Sequence, residues 1–320
     1  MSRKIGFIVN PLSHTVQRKG STLERVAARV EDAVLIRIDD FARLPDQLRQ
    51  LTAEHPSAVF VEGGDGTLQA VLSGWPGFAE GSAQLPDMGI LPGGSTNLAF
   101  KVAGLRRSAG DDIEALIRSG RADSLSTRTS LPALRIESSN LPAPLVGMLL
   151  STGSLARAML YTQKQIHGDG HRGSLAVANA AARFVVSPGS YLDTDGAPLL
   201  RPCDYKAESA VFRLQGVHAL SLMTTLPYLS LGLKPFWGEE GGPIALTYAQ
   251  WPISAFRAAF LKILANATGP EMTRHGLTSY RTDRLTLNCS GPIVLDGELL
   301  QIPAYDPIRI TSTRPIRFLR

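Results

Sequence analysis

Val61-Glu62-Gly63-Gly64-Asp65-Gly66-Thr67-Leu68 sets one carboxylate inside a glycine turn, between an apolar run and a segment of helical character. Ala58-Val59-Phe60-Val61 reads as a short buried strand, and Thr67-Leu68-Gln69-Ala70-Val71-Leu72 opens a helix whose free amide groups point back at the turn. Gly63, Gly64 and Gly66 predict backbone with positive φ and an anion that approaches without meeting a Cβ. Asp65 repels bare phosphate, so its place there calls for Mg²⁺ or for a base acting on an incoming hydroxyl. The structural alternative is a tight strand-to-helix turn in which Asp65 only caps the helix.

A second unit of the same kind follows. Met88-Gly89-Ile90-Leu91 is another short apolar run, and Pro92-Gly93-Gly94-Ser95-Thr96-Asn97 leads into the small-residue helix Leu98-Ala99-Phe100-Lys101-Val102-Ala103. Right-handed crossovers align the carboxyl ends of parallel strands, so both loops are expected on one edge of one sheet. A polyphosphate is the ligand such a pair suits.

These two motifs resemble the catalytic domain of the diacylglycerol kinase family, which includes sphingosine and ceramide kinases. Gly63 to Thr67 is similar to that family's Gly-Gly-Asp-Gly-Thr nucleotide loop, and Pro92 to Asn97 to its second loop. Ile8-Val9-Asn10-Pro11 resembles the opening strand and Asn-Pro turn, and Val294-Leu295-Asp296-Gly297-Glu298 the late Asp-Gly-Glu motif. Ile308-Arg309-Ile310 and Pro315-Ile316-Arg317-Phe318-Leu319 are similar to its final strands, which return to the first domain.

The resemblance implies ATP as co-substrate with Mg²⁺, and a cleft between two domains in which a lipid hydroxyl meets the γ-phosphate. Asn10, Gly63, Gly64, Asp65, Gly66, Thr67, Gly94, Ser95, Thr96 and Asn97 are then the nucleotide-binding residues. Asp65, Asp296 and Glu298 are the catalytic candidates, with Asp65 and Glu298 the metal candidates. Which of Asp65 and Asp296 accepts the hydroxyl proton stays open, as does ATP against GTP. Taken alone, Asp296-Gly297 is also a common hairpin turn, and Ile293-Val294-Leu295 and Leu299-Leu300 flank it suitably.

Departures from the family pattern narrow the substrate. Leu98 stands where many diacylglycerol kinases carry an Asp that supports a structural metal network. Gly94-Ser95-Thr96 is the run shared with ceramide kinases. Arg157 aligns with the Asp by which sphingosine kinases read an ammonium, and a cation there opposes a free amine. A neutral lipid is therefore expected, ceramide slightly ahead of diacylglycerol. The alternatives are an NAD kinase-like enzyme, whose family shares Gly-Gly-Asp-Gly, and a catalytically silent nucleotide and lipid sensor.

Bulk properties agree. The chain has 320 residues, enough for two domains, and its net charge of +5 arises from 33 basic against 28 acidic side chains. That excess fits attraction to an anionic membrane surface and is too diffuse for nucleic acid. Cys203 and Cys289 stand far apart without zinc or redox spacing, which suits a reducing compartment. No stretch reaches the roughly 20 apolar residues of a spanning helix, so a cytoplasmic protein in peripheral contact with the membrane is expected. The segment Met223 to Trp237 is a candidate for that contact, through Phe236 and Trp237, with a core strand and turn as the alternative. The six histidines show no metal-ligand spacing; His167 and His171 are four apart, but Gly168 and Gly170 weaken a helix there. Oligomeric state is not legible.

The expected architecture is α/β: a doubly wound nucleotide-binding domain over residues 1–125 with the returning segment 309–320, and a mainly antiparallel β-rich lipid-substrate domain over 126–308. In the first, strands are expected at 5–10 and 34–38 and helices from the Ser21-Thr22-Leu23-Glu24 capping box, at 44–54 and at 111–118. In the second, β-type runs at 133–137, 210–214 and 284–288 are interrupted by helices at 155–166, 174–185 and 254–265, with 193–206 a loop.

Overall fold

A computed structural model of the chain describes residues 4–94, 96–106, 108–120, 128–169, 191–193, 195–239 and 241–320. Ser95, His171 and the expected helix at 174–185 lie outside the described residues, as does the expected boundary at 125/126. The chain divides into one compact unit ending at Ala133 and completed by Thr313–Arg320, and a second formed by Leu134–Ser312.

The first unit runs β1 (Ile5–Val9), α1 (His14–Lys19), α2 (Thr22–Ala27), β2 (Ala33–Arg37), α3 (Leu44–Ala53), β3 (Ala58–Gly63), α4 (Asp65–Gly74), β4 (Asp87–Pro92), α5 (Leu98–Ala103), α6 (Gly110–Gly120) and β5 (Arg128–Leu131). β1 is buried at every residue and β3 at all but its first, as strands covered on both faces must be. β2, β1, β3 and β4 are parallel neighbours in that order. Phe60 lies opposite Gly89, where an added Cβ would stand 2.4 Å from the ring, so the glycine leaves the space the aromatic fills. Phe60 also stacks on Phe7 at 5.7 Å.

The second unit runs β6 (Leu134–Glu137), β7 (Leu145–Gly147), β8 (Leu149–Thr152), α7 (Gly153–Asp169), β9 (Cys203–Glu208), β10 (Arg213–Thr224), β11 (Ile244–Gln250), α8 (Phe256–Leu264), β12 (Leu277–Thr282), β13 (Arg284–Cys289), β14 (Ile293–Leu295), β15 (Glu298–Leu299) and β16 (Ile308–Ser312). Every pairing between these strands is antiparallel. β17 (Ile316–Leu319) closes the first unit, parallel to β4 and antiparallel to β5. Asp87 of β4 pairs with Arg317 at 2.6 Å and Arg128 at 3.0 Å, which fastens β17 and the edge strand β5 to the parallel core.

The α/β architecture agrees with the sequence reading, and several boundaries shift. The first unit extends to Ala133 because β5 pairs with β17. Its returning segment starts at Thr313 instead of 309, because Ile308 and Ile310 belong to β16 in the second sheet, between β13 and β6. Residues 210–212 form the β9–β10 turn instead of a strand, since Ser209 bonds back to the Phe212 carbonyl. The expected loop 193–206 ends in a strand from Cys203, whose Cys203, Tyr205 and Ala207 alternate into the core.

Candidate functional site

In the first unit the two glycine loops touch at the carboxyl ends of β3 and β4. The Gly93 amide donates to the Gly63 carbonyl at 2.7 Å, and the Gly93 carbonyl accepts from Thr15 at 2.9 Å. A Cβ on Gly94 would lie 2.7 Å from the Gly64 Cα, and one on Gly93 2.6 Å from the Gly63 Cα. This close approach is why the residues are glycines. None of Gly63, Gly64, Gly66, Gly93 or Gly94 has positive φ, and Gly64 is extended at φ −86, ψ −179, so the expected left-handed backbone is absent there. Asn97 is the left-handed residue of the second loop, at φ 49. Its Oδ1 accepts from the Gly94 amide at 2.9 Å and its Nδ2 donates to the Gly94 carbonyl at 2.6 Å, which closes the loop on itself. Gly94→Ala is expected to destabilise this unit by about 1–3 kcal/mol, because backbone instead of a yielding side chain meets the new methyl. An unchanged Tm in a melting experiment would show that the loops separate freely.

Asp65 begins α4, and its carboxylate reaches across to the second loop. Oδ2 accepts from the Leu98 amide at 2.9 Å and Oδ1 from the Ala99 amide at 3.0 Å, so one side chain caps the start of α5 while standing on the start of α4. Burial pushes its pKa above the ordinary value, and the Leu98 and Ala99 amides and the Lys101 ammonium pull it back. The helix-cap alternative is thus realised, although the helix is the next one and not its own. Between the loops lies a recess of about 10 Å³, roughly the space of one water molecule, lined in part by Gly63, Gly64, Asp65, Leu91, Asn97 and Ala99. The amides at the very start of α4 are donors of the kind that bind anions.

The remaining residues are second-tier supports. Asn10 follows β1; its Nδ2 donates to Thr67 Oγ1 at 2.9 Å, and its Oδ1 accepts from Leu12 at 3.0 Å, so it anchors the loop. Thr67 is buried. Glu62, given no role by the sequence reading, is buried and accepts from Ser21 Oγ at 2.5 Å, Leu23 at 3.0 Å and Thr22 at 3.1 Å, which fastens the start of α2 to the end of β3. The signal was present: an acid closing an apolar strand needs a partner, and a helix start supplies amides.

In the second unit Asp296 and Gly297 form the two-residue turn between β14 and β15, with φ 50 and 96, as a type I′ hairpin requires. The hairpin alternative is correct as geometry, but the carboxylate does more than turn the chain. Its Oδ2 accepts from Met148 at 2.8 Å and its Oδ1 from Leu149 at 2.9 Å, tying the turn to the β7–β8 junction. A Cβ on Gly147 would lie 2.6 Å from Oδ2. Asp65 and Asp296 are thus held alike, each by two consecutive main-chain amides. Glu298 is exposed at the start of β15, opposite Leu295.

Arg157 is a correction. It is 8% exposed, and it donates from Nη1 to the Arg201 carbonyl at 3.2 Å and from Nη2 to Cys203 Sγ at 3.3 Å. A guanidinium spent inside the unit reads no headgroup. Near it, His218 is fully buried, with Nε2 2.8 Å from Thr152 Oγ1 and Nδ1 3.1 Å from the Cys203 carbonyl. Burial pulls its pKa down to about 4, aided by the Arg157 charge. The folded unit therefore binds fewer protons than the unfolded chain between pH 6.5 and 4, and stability is lost as pH falls through that window. The shift corresponds to about 3 kcal/mol. Thermal melts across it should show a steeper decline for wild type than for His218→Gln; parallel curves would remove this role.

The described residues gather no group of three His, Cys, Asp or Glu side chains that could hold a metal. The Asp65 oxygens each hold an amide. The donors therefore fit Mg²⁺ only as an ion carried by nucleotide phosphates with carboxylate support. His14, His55, His218 and His275 join no such group, while the side chain of His167 is not described.

A parallel sheet whose strand ends carry two interlocked glycine loops and a buried carboxylate is an α/β unit of the nucleotide-binding type. Residues 4–126 match the family model of the diacylglycerol kinase catalytic domain, and this segment belongs to that family. No curated protein matches the chain. Among solved structures, a diacylglycerol kinase from Bacillus anthracis strain Sterne is 11% identical, with 99% of this chain and 97% of that one covered at a TM-score of 0.60. Yeast NADH kinase complexed with NADH is 10% identical, with 100% and 84% covered at a TM-score of 0.50. Likenesses at such identities show the fold, here a parallel nucleotide-binding-type unit joined to an antiparallel β-rich one.

Proposed function

We propose that this protein is an ATP- and Mg²⁺-dependent lipid kinase that transfers the γ-phosphoryl group to the primary hydroxyl of a neutral membrane lipid. The observation that carries the reading is the pair of interlocked loops with Asp65 bridging the starts of α4 and α5. Such a site supplies fixed amide dipoles to a triphosphate, and phosphoryl transfer asks chiefly for positioning and charge stabilisation. Gly63, Gly64, Gly66, Thr67, Gly94, Ser95, Thr96 and Asn97 surround the phosphates in this reading, with Asn10 as support for Thr67. Asp296 is assigned to the hydroxyl proton and Asp65 to the phosphate side; Glu298 is the further acid offered to the metal. Ceramide keeps its support over diacylglycerol, the Gly94-Ser95-Thr96 run, whereas the argument from Arg157 against a free amine falls because that side chain is buried.

The test is a substrate panel. Protein and labelled ATP with mixed micelles of ceramide or diacylglycerol should yield labelled lipid, and with NAD in their place no labelled product. Label in neither lipid with ATP bound would favour a sensor, and label in NAD would favour the NAD kinase-like alternative.

No described helix is long and apolar enough to cross a membrane. Contact with the lipid surface is assigned to α8 and the loop beside it, and the protein to the cytoplasmic side. Leu261 and Leu264 on α8 are 63% and 45% exposed, and Leu231 is 71% exposed. Asn266 joins the two elements, with Nδ2 donating to the Gly232 carbonyl at 3.2 Å and Oδ1 accepting from Lys234 at 2.7 Å. Exposed Lys234 and Arg257 flank these leucines and complement anionic headgroups. Trp237, one of the two aromatics expected there, packs against the Ala219, Ala259 and Met272 cluster instead, and Phe236 is half-buried. Leu231→Ser with Leu261→Ser is expected to lower sedimentation with phosphatidylglycerol vesicles at least about tenfold, from the lost burial of two leucines. Undiminished binding would move the contact elsewhere.

A further inference from the structure

The antiparallel ladder brings together two side chains that the sequence holds 86 positions apart, the separation of the paired Asp204 and Ser290 next to them. Cys203 begins β9 and Cys289 ends β13, and because Cys289 lies opposite Tyr205 in the register the two cysteines sit diagonally across one strand pair. Both are buried and free. The two thiols shift one another, Cys203 down and Cys289 up. Gly291, in the turn after β13, makes room for the arrangement: a Cβ there would stand 2.5 Å from Cys203 Sγ, while its amide donates to Cys289 Sγ at 3.3 Å. On the other side of Cys203 stands the buried Arg157 guanidinium, 3.3 Å from the sulfur.

We propose that Cys203 and Cys289 are a redox-active dithiol that takes a small hydroperoxide as oxidant and closes to an intramolecular disulfide. The two thiols have different roles. The hydrogen bond from Cys289 and the Arg157 charge pull the Cys203 thiol down to about 6 against the effect of burial, whereas Cys289 is pushed up and keeps its proton. Cys203 is therefore the thiolate nucleophile and Cys289 the resolving thiol. In the first step the Cys203 sulfur attacks a peroxide oxygen; an S–O bond forms, the O–O bond breaks, sulfur is oxidised by two electrons, and the leaving oxide takes a proton. In the second, the Cys289 sulfur attacks the sulfenic sulfur, losing its proton as the hydroxyl departs as water. A dithiol reductant reverses the change by returning two electrons and two protons. Cys203 and Cys289 are 6% and 2% exposed, which selects an oxidant of nearly water size and excludes bulky disulfides. The bond would staple β9 to β13, the strand that leads through Gly291 and Pro292 to the hairpin carrying Asp296.

The test uses the full chain. After treatment with hydrogen peroxide, the protein is denatured and alkylated with N-ethylmaleimide, and its intact mass is read. The expected result is a monomer with both alkylation sites lost and both restored by dithiothreitol. Cys289→Ser should instead leave a sulfenic acid on Cys203 that dimedone traps. Arg157→Gln should close the disulfide about tenfold more slowly at pH 7, with the difference vanishing above about pH 9, where the thiolate no longer needs the cation. Two thiols still alkylated after peroxide, or a disulfide found only between two chains, would overturn the proposal; so would an Arg157→Gln effect independent of pH.

Discussion

Asp296→Asn is expected to lower turnover of the lipid substrate at least about a hundredfold while lowering the melting temperature only modestly. The reason lies in the turn. Asp296 occupies the first central position of a type I′ hairpin at φ 50, with Gly297 at φ 96, and Asn-Gly is the pair that this turn favours most. The replacement therefore keeps the backbone that the hairpin needs. It removes the negative charge and one of two acceptors, since the carboxylate receives Met148 and Leu149 through separate oxygens. An Asn amide group facing one of those N–H groups costs about 1–3 kcal/mol, offset in part by the turn preference of Asn-Gly, whereas a lost base or charge-stabilising group acts on the rate directly. Steady-state kinetics with the better lipid, beside a thermal melt, separates the two effects. A rate within a few-fold of wild type would leave Asp296 as a turn residue and nothing more.

Asp65→Asn should also reduce turnover at least about a hundredfold, but with a visible loss of stability. The Asp65 carboxylate accepts from both the Leu98 and the Ala99 amide, and an Asn side chain offers one oxygen where two are used. Its amide group would face a main-chain N–H, leaving a donor unsatisfied at a cost of about 1–3 kcal/mol. The first turn of α5 would loosen, and with it the loop closed by Asn97 over Gly94. Binding of ATP, followed by titration calorimetry, should weaken together with turnover. Normal ATP affinity and normal rate in this variant would remove Asp65 from the mechanism, whatever happened to Tm. The contrast between the variants is informative because the two carboxylates are held alike but on different backbones, a helix start and a hairpin.

The pattern of glycines, apolar runs and turn residues made the first unit readable. Ala58 to Gly63 and Met88 to Pro92 are strands, and each glycine loop is followed by a helix. Ser21 caps α2 by accepting from the Glu24 amide at 3.0 Å, as the capping box predicts. The conformational reason assigned to Gly63, Gly64 and Gly66 was wrong, because local propensity cannot distinguish a glycine that must turn left-handed from one that must let another backbone pass. Arg157 shows the same limit: its alignment with a family position suggests a cation that opposes a free amine, and only packing reveals the Arg201 carbonyl and the Cys203 sulfur that occupy it.

By itself the sequence determined what short-range chemistry determines: the two loops, the strand and helix periods, the Asp-Gly turn, and membership of residues 4–126 in a kinase-type family. The tertiary structure decided which side chains meet across tens or hundreds of positions. It placed β16 in the second sheet and β17 in the first, set Asp65 on the amides of α5, hid Glu62 under α2, and put Cys203 against Cys289. Those outcomes depend on strand order and register, which long-range burial and hydrogen-bond satisfaction select and no local pattern encodes.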